Sequence, residues 1–435
     1  MHWRRIALFL LTAVALATTA AWSASDDHDG DQHDSRRDEV HTATPIKHLV
    51  VIYGENVSFD HYFATYPHAA NPSGEPAFAA QAGTPEVNGL SGTLLTANPN
   101  YTNSANGTGA ANPFRLDRTQ AATADQNHAY TAEQQAYDNG KADLFPKYTG
   151  HGTSGGFNLS TTNSDGTTGC KRSTTSQVVG AATADYIPHH NWFQYYASTS
   201  NPQHLRPSSV SAIGHTYGAH RSTVDPANHQ YDIDDFYSAV QAGNFPAVSF
   251  LKAPAYEDGH AGYSDPLDEQ AFVTKVVNFL QQQPDWRDTA VIVTWDDSDG
   301  WYDHAYALPT SASFDSVADQ LTGPGICGSG TGPDGLNGKP VNGRCGPGTR
   351  IPFVVISPWA KQNYVDHTPI DQSSVVRFIE DNWLDGNRIG GGSFDAKAGS
   401  ITGMFDFNRR HDDHRETRLY LDPTSGLPVK TPPSI

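Results

Sequence analysis

Apolar residues are bunched along this chain, and the bunches follow two periods. Four short runs are rich in Val, Ile and aromatic residues: Ile46-Lys-His-Leu-Val-Val-Ile-Tyr53, Phe245–Leu251, Thr289–Trp295 and Ile351–Ser357. Runs of this length that end in polar residues are expected of parallel strands covered on both faces. Helical patterns lie between them. Gln230–Ala242 precedes the second run. In Asp268–Gln282 the residues Phe272, Val273, Val276, Val277, Phe279 and Leu280 repeat with helical spacing, and Pro284 stops the pattern. Asp371–Leu384 opens on an Asp cap and offers Val375, Val376, Phe378, Ile379 and Trp383 for burial. Strands alternating with helices predict an α/β fold, a doubly wound and mainly parallel sheet sandwiched by helices.

From Val57 to His190 no four consecutive residues come from Val, Ile, Leu, Met, Phe, Trp and Tyr. A structureless loop of that length is foreign to a compact domain. Two readings follow: a polar, irregular cap with little core of its own, or a core element absent from this chain.

The ends carry different signals. Arg4-Arg5, the apolar stretch Ile6–Ala21 and the small residues Ala21, Ser23, Ala24 and Ser25 are expected to form a cleaved signal peptide over 1–25; the alternative is an uncleaved anchor helix, for which the apolar stretch is short. Residues 26–44 are charged and without apolar period, the pattern of a disordered leader; His28, His33 and His41 belong to it. The main domain is expected over 45–409, with a tail over 410–435. Export makes disulfides permissible. Of the three cysteines, Cys327 and Cys345 bracket a loop rich in Gly and Pro and are expected to pair, leaving Cys170 over.

Composition narrows the class. Charged residues make up 17% and apolar ones 37% of the 435 residues. That excludes a coiled coil, a membrane bundle and a chain disordered throughout. With 28 Lys and Arg against 47 Asp and Glu, the net charge of −19 argues against nucleic acid or an anionic membrane as partner. A phosphorylated substrate stays compatible, because a bound cation inverts the local field.

Ligands of parallel sheets sit past the carboxyl ends of the strands. There the first run delivers Glu55-Asn56 and the third Asp296-Asp297, followed by Ser298-Asp299-Gly300-Trp301-Tyr302-Asp303-His304. Either pair alone is as well read as a turn or helix cap. Two pairs at two strand ends, three carboxylates and an amide oxygen, suit a hard or borderline divalent cation. Among 20 histidines, His189, His190 and His260 stand out, with His128 at lower weight. A neutral imidazole ligates metal; a cationic one holds phosphate or protonates a leaving alkoxide.

Together these residues resemble a known family. Glu55-Asn56-Val-Ser58-Phe59-Asp60-His61-Tyr62-Phe63 is similar to the opening motif of the bacterial phosphoesterases, the phospholipases C and secreted acid phosphatases with an alkaline-phosphatase-like fold. Asp296-Asp297 with Gly300, Tyr302, Asp303 and His304 resembles the second metal motif. Gly259-His260, Tyr186-Ile-Pro-His189-His190 and Arg350–Pro358 also match, and the likeness is greatest to the acid phosphatase branch.

The resemblance implies that Glu55, Asn56, Asp296 and Asp297 hold one divalent ion (Ca, Mg, Mn or Zn) and that His189, His190 and His260 line the phosphate site. The N-terminal pattern implies a secreted or periplasmic location without a stable membrane anchor, and the resemblance implies a bacterial enzyme acting on a phosphomonoester or phospholipid. The resemblance also calls for a Ser or Thr nucleophile in a Gly-Pro segment, expected between Phe145–Gly150 and Gly155-Gly156-Phe157. No such segment stands there, and Ser160, Thr161, Thr162, Ser173, Thr174 and Thr175 lack its context. The activity is therefore expected to be impaired. The rival readings are an inactive metal- or phosphate-binding homologue and, at lower weight, a sulfatase-like hydrolase using Cys170.

Overall fold

The computed structural model describes residues 41–150, 173–176, 178–180, 182–218, 223–307, 346–390, 393–408 and 418–433. The signal peptide, the leader up to residue 40, all three cysteines and the stretch 151–172 lie outside them.

The central sheet has the order β2-β1-β3-β4, built from β1 (His48–Gly54), β2 (Val248–Lys252), β3 (Thr289–Trp295) and β4 (Phe353–Ile356). The first three are parallel, in the register Tyr53↔Lys252 and Gly54↔Trp295. Both faces of β1 are covered, and its side chains divide by parity. Val50 and Ile52 join Phe236, Val240, Phe272, Val276, Phe279 and Leu280 on one side. Leu49, Val51 and Tyr53 join Val375, Phe378, Trp359, Ile401 and Phe405 on the other. Each fully buried aliphatic contributes about 1.5–3 kcal/mol, which is why an unbroken apolar run serves this strand better than an alternating one.

The last strand corrects the parallel expectation for Ile351–Ser357: β4 runs antiparallel to β3. Its first residue, Phe353, pairs with Thr294 near the end of β3, so the chain leaves and re-enters the sheet at one end. Without a crossover to the far end, antiparallel pairing is the available geometry. An antiparallel edge on a parallel sheet is common.

The helices follow the predicted pattern with shifted ends. α1 is the short Phe59–Phe63 and α2 is Tyr130–Tyr137. α3 is Ile233–Gln241 and α4 is Pro266–Gln281. α4 starts ahead of the expected Asp268 because Asp265 caps it, accepting from Leu267 N at 2.7 Å, with Pro266 in the first position. α5 spans Ser373–Trp383. The C-terminal strands Tyr420–Leu421 and Pro428–Val429 lie on α4, whose Asn278 and Gln281 amides donate to Leu421 O and Leu419 O.

Residues 64–150 form the polar cap. Its apolar cluster is small, Ala136, Tyr137, Ala142 and Phe145. Asparagines do much of the joining. Buried Asn100 donates to Ala142 O and accepts from Phe145 N, both at 2.9 Å, and Asn106 donates to Asp143 O at 2.8 Å. Side-chain amides give loop backbone the partners that a sheet would otherwise supply.

Candidate functional site

The site begins where β1 ends. Gly54 passes so close to its neighbours that a Cβ there would stand 2.2 Å from Glu269 Oε1 and 2.3 Å from Trp295 Nε1. Glycine lets the chain through, and Glu55 and Asn56 follow, both buried. Asn56 takes φ 61°, a left-handed turn that asparagine accepts more readily than most residues. Because Gly54 pairs with Trp295, Asp296 and Asp297 emerge alongside. Asn56 N donates to Asp296 Oδ1 at 3.0 Å, Val57 N donates to Asp297 O at 2.9 Å, and the Glu55 and Asp296 carboxyls meet.

The structure thus sets Glu55 and Asn56 beside Asp296, with the Asp297 backbone against Val57, but among the described residues the compact groups of ligand-type atoms include Glu55 and neither Asp296 nor Asp297. The Asn56 amide is aimed: its Nδ2 donates to Asp299 Oδ1 at 3.2 Å, while its buried Oδ1 has no hydrogen-bond partner. An unmade bond at such an oxygen costs about 1–3 kcal/mol. An amide oxygen left bare beside crowded carboxylates fits a divalent cation. Burial and Asp296 push the Asp297 carboxyl up to about 7, and burial raises Asp296 as well, so negative charge is in excess here.

One cation is built in, and sequence reasoning passed over it. Lys252, the last residue of β2, donates to Gly54 O at 3.0 Å and to Glu55 Oε2, and its Nζ lies 3.5 Å from Asp296 Oδ2. Burial works against its ammonium, but Asp296 and Glu55 outweigh this and lift it above the lysine range. Burial likewise opposes the Glu55 charge, and Lys252 reverses that, leaving the carboxyl below its ordinary value. The available signal was position, since a lysine ending a strand beside carboxylate-bearing strand ends faces them.

The histidines separate. In the turn Pro188–His190, His190 points inward, with Nε2 3.0 Å from Glu55 Oε1 and Nδ1 3.7 Å from Asp258 Oδ2. Burial drives its value well below the usual one, so it is neutral. His189 is exposed, and its ring meets that of His190 edge-on at 4.6 Å. His260 is buried, with Nδ1 2.6 Å from Ala261 O and its ring stacked on Tyr263. Burial lowers it too, while the Glu55 charge acts against this.

His128 is more central than its sequence rank. Its Nδ1 lies 3.0 Å from Asp299 Oδ1 and 3.0 Å from Gln126 O, and its ring is 5.9 Å from that of His260. The bond to Asp299 pushes its imidazole up to about 10, while burial pushes Asp299 up to about 7. These pull in opposite directions. The direct bond and the amide donors Gln126 N and Asn56 Nδ2 favour an ionised Asp299, so the pair is charged between about pH 7 and 10. Ligand-type atoms of Asp125, His128, His260 and Asp299 fall within 4.8 Å of one another, and so do those of Glu55, His190 and Asp258.

A clamp holds the two carboxylate motifs together. Arg350 donates from Nε to Asp303 Oδ2 and from its terminal nitrogen to Asp60 Oδ1, each at 3.1 Å, and lies 4.1 Å over the Phe59 ring. His304 Nδ1 meets Asp60 Oδ2 at 2.6 Å. The nearby hydroxyls have structural bonds: Ser58 donates to Tyr302 O, Thr149 to Phe145 O and Ser298 to Glu133 Oε1.

The chain is similar to known proteins. The model of the Phosphoesterase family matches residues 46–206 and 151–384. The chain is 31% identical over 154 residues to the non-hemolytic phospholipase C of Pseudomonas aeruginosa, covering 34% of this chain and 22% of that protein. It is 31% identical over 188 residues to the hemolytic phospholipase C of the same organism, covering 41% of this chain and 23% of that protein. With phospholipase C A of Mycobacterium tuberculosis it shares 23% identity over 404 residues, 77% of this chain and 72% of that protein. The matches to the two Pseudomonas enzymes thus span less than a quarter of their length.

Proposed function

Since the chain belongs to the Phosphoesterase family, we propose that it is an exported, divalent-metal-dependent hydrolase of phosphoric esters, of the acid phosphatase or phospholipase C type. The observation that supports this reading is the emergence of Glu55-Asn56 and Asp296-Asp297 from paired strand ends, with Asn56 N bonded to Asp296 Oδ1 and the buried Asn56 Oδ1 left bare. These four would hold the ion, one of Ca, Mg, Mn or Zn. When bound, it supplies Lewis-acid charge to a phosphoryl oxygen.

The chain's own residues do the rest. His128, held as an imidazolium by Asp299, offers positive charge and a proton to an anionic ester. His260, with Nδ1 engaged by Ala261 O, keeps Nε2 for the phosphate or the leaving oxygen. His190 braces Glu55, and His189 lies at the exposed margin. Phosphomonoesters and phospholipids are the substrate classes. Export rests on the Arg4-Arg5 and Ile6–Ala21 pattern, and among the described residues no helix is long and apolar enough to cross a membrane.

One observation favours a second reading, an inactive metal- or phosphate-binding homologue. No Ser or Thr stands in the family's nucleophile context between Phe145 and Phe157, and the family match divides into stretches overlapping at 151–206. We therefore read the turnover of this chain as weak. A metal site without a positioned hydroxyl keeps charge stabilisation but loses the covalent route.

The test assays a chromogenic phosphomonoester and phosphatidylcholine with and without Mn²⁺ or Ca²⁺, beside Asp297→Ala and a variant with a family nucleophile segment inserted after Gly150. Metal-dependent turnover lost in D297A supports the hydrolase, and a large gain on insertion supports impairment. Metal binding without any turnover favours the inactive homologue. Neither binding nor turnover sinks both readings.

A further inference from the structure

Both oxygens of Glu55 are engaged: Oε1 faces His190 Nε2 and Oε2 takes the Lys252 ammonium. Lys252 also reaches Gly54 O and approaches Asp296 Oδ2, so three oxygens surround a group with three N–H donors. Among the described residues, no arginine or other lysine pairs with Glu55 or Asp296. A divalent ion seated on Asn56 Oδ1 and these carboxylates must share or displace that ammonium. Like charges close together in a buried site repel strongly.

We propose that Lys252 is a resident counter-cation of this site: it holds Glu55 and Asp296 together before metal arrives and competes with the metal for their charge. The proposal rests on the metal-binding reading above. It makes Lys252 a positioning residue that sets how tightly the ion is held, and it accounts for a lysine whose side chain is only 14% exposed at the mouth of an acidic cluster. A lysine suits the part, because its compact charge on a flexible stem can swing aside where a planar guanidinium would stay fixed.

The experiment uses the full chain, stripped with chelator, in wild-type, Lys252→Met and Lys252→Arg forms. Mn²⁺ and Ca²⁺ are titrated calorimetrically, and melting is followed with and without each ion. K252M is expected to bind about tenfold more tightly or better, a change of about 1.4 kcal/mol. Without metal it should melt several degrees lower, and the metal-induced rise should be larger than in wild type. K252R, whose guanidinium would stay in place, should bind the ions more weakly than wild type. If K252M does not fold without metal, it is purified with Mn²⁺ and its affinity taken from chelator competition. Equal or weaker binding by K252M overturns the proposal while leaving the metal site intact. Binding by neither wild type nor K252M overturns the metal reading, and the competition proposal with it.

Discussion

Arg350 is the residue whose removal tests the architecture of the site most directly. Its guanidinium joins Asp60, from the first motif, to Asp303, from the second, and donates to Asn88 O at 2.8 Å. Both carboxylates are almost wholly buried. In Arg350→Met three bonds are lost, the two to carboxylates at about 1.5–3 kcal/mol each and the exposed one to Asn88 O at less, with about 0.5–1 kcal/mol of cation–π contact over Phe59. A quarter of the arginine side chain is open to solvent, which reduces its part, and methionine restores some packing. Asp60 keeps His304, and Asp303 keeps the Asp60 and Ala305 amides. We expect a loss of about 3 kcal/mol at pH 8. The pH dependence has a definite sign. Burial and Asp60 push the Asp303 carboxyl up to about 6 even against Arg350. Without Arg350 it rises further. A carboxyl raised above its unfolded value opposes folding as it ionises and does not when protonated. The penalty should therefore grow from pH 5 to pH 8, reaching about twice its pH 5 size. Urea unfolding followed by tryptophan fluorescence at both pH values measures it. A loss under about 1 kcal/mol at pH 8, or one no larger there than at pH 5, would refute the clamp.

Three further outcomes are expected. Gly54→Ala forces a Cβ into Glu269 and Trp295 and should destabilise by about 3 kcal/mol or more, seen as lost soluble yield and a lowered melt; a neutral effect contradicts the close passage. In NMR titration His128 should change charge near pH 10, and in Asp299→Asn near its ordinary 6.5; the charged pair exists above about pH 7, where Asp299 ionises, and its stabilisation vanishes as pH rises through about 10, so an unchanged His128 in D299N refutes the pairing. Inorganic phosphate should bind the Mn²⁺-loaded chain and lose at least about tenfold in affinity after chelation; equal affinity refutes the need for a cation.

What the sequence revealed follows from which interactions leave a local pattern. Parallel strands buried on both faces need apolar residues without interruption, so β1 and β3 stood out, as did the faces of α4 and α5. Strand direction leaves no such mark, and β4 was legible as a strand while its antiparallel sense was not. The cap escaped because amide bonds such as those of Asn100 and Asn106 replace apolar contacts, and asparagine in a loop looks the same whether or not it is buried. Neighbours in sequence also part company: the turn at Pro188–His190 turns His190 inward and leaves His189 exposed.

Lys252 and Asp299, to which the sequence reading gave no role, and His128, which it ranked low, share a physical reason. Each matters through charge balance, which sums over elements far apart in the chain. Glu55, Asp258, Asp296, Asp297 and Asp299 gather within the reach of one lysine and one imidazolium. Several of these carboxyls are pushed upward, as an excess of negative charge in a buried place requires. Such a site repels the anionic esters that the family acts on. Under the proposed function positive charge would enter before substrate, and the bare Asn56 oxygen is where the proposal seats it. On the proposed reading the acidity of the site, at first sight an objection to phosphate chemistry, becomes a condition for it: carboxylates would collect the cation, and the cation with His128 would reverse the field that the ester meets.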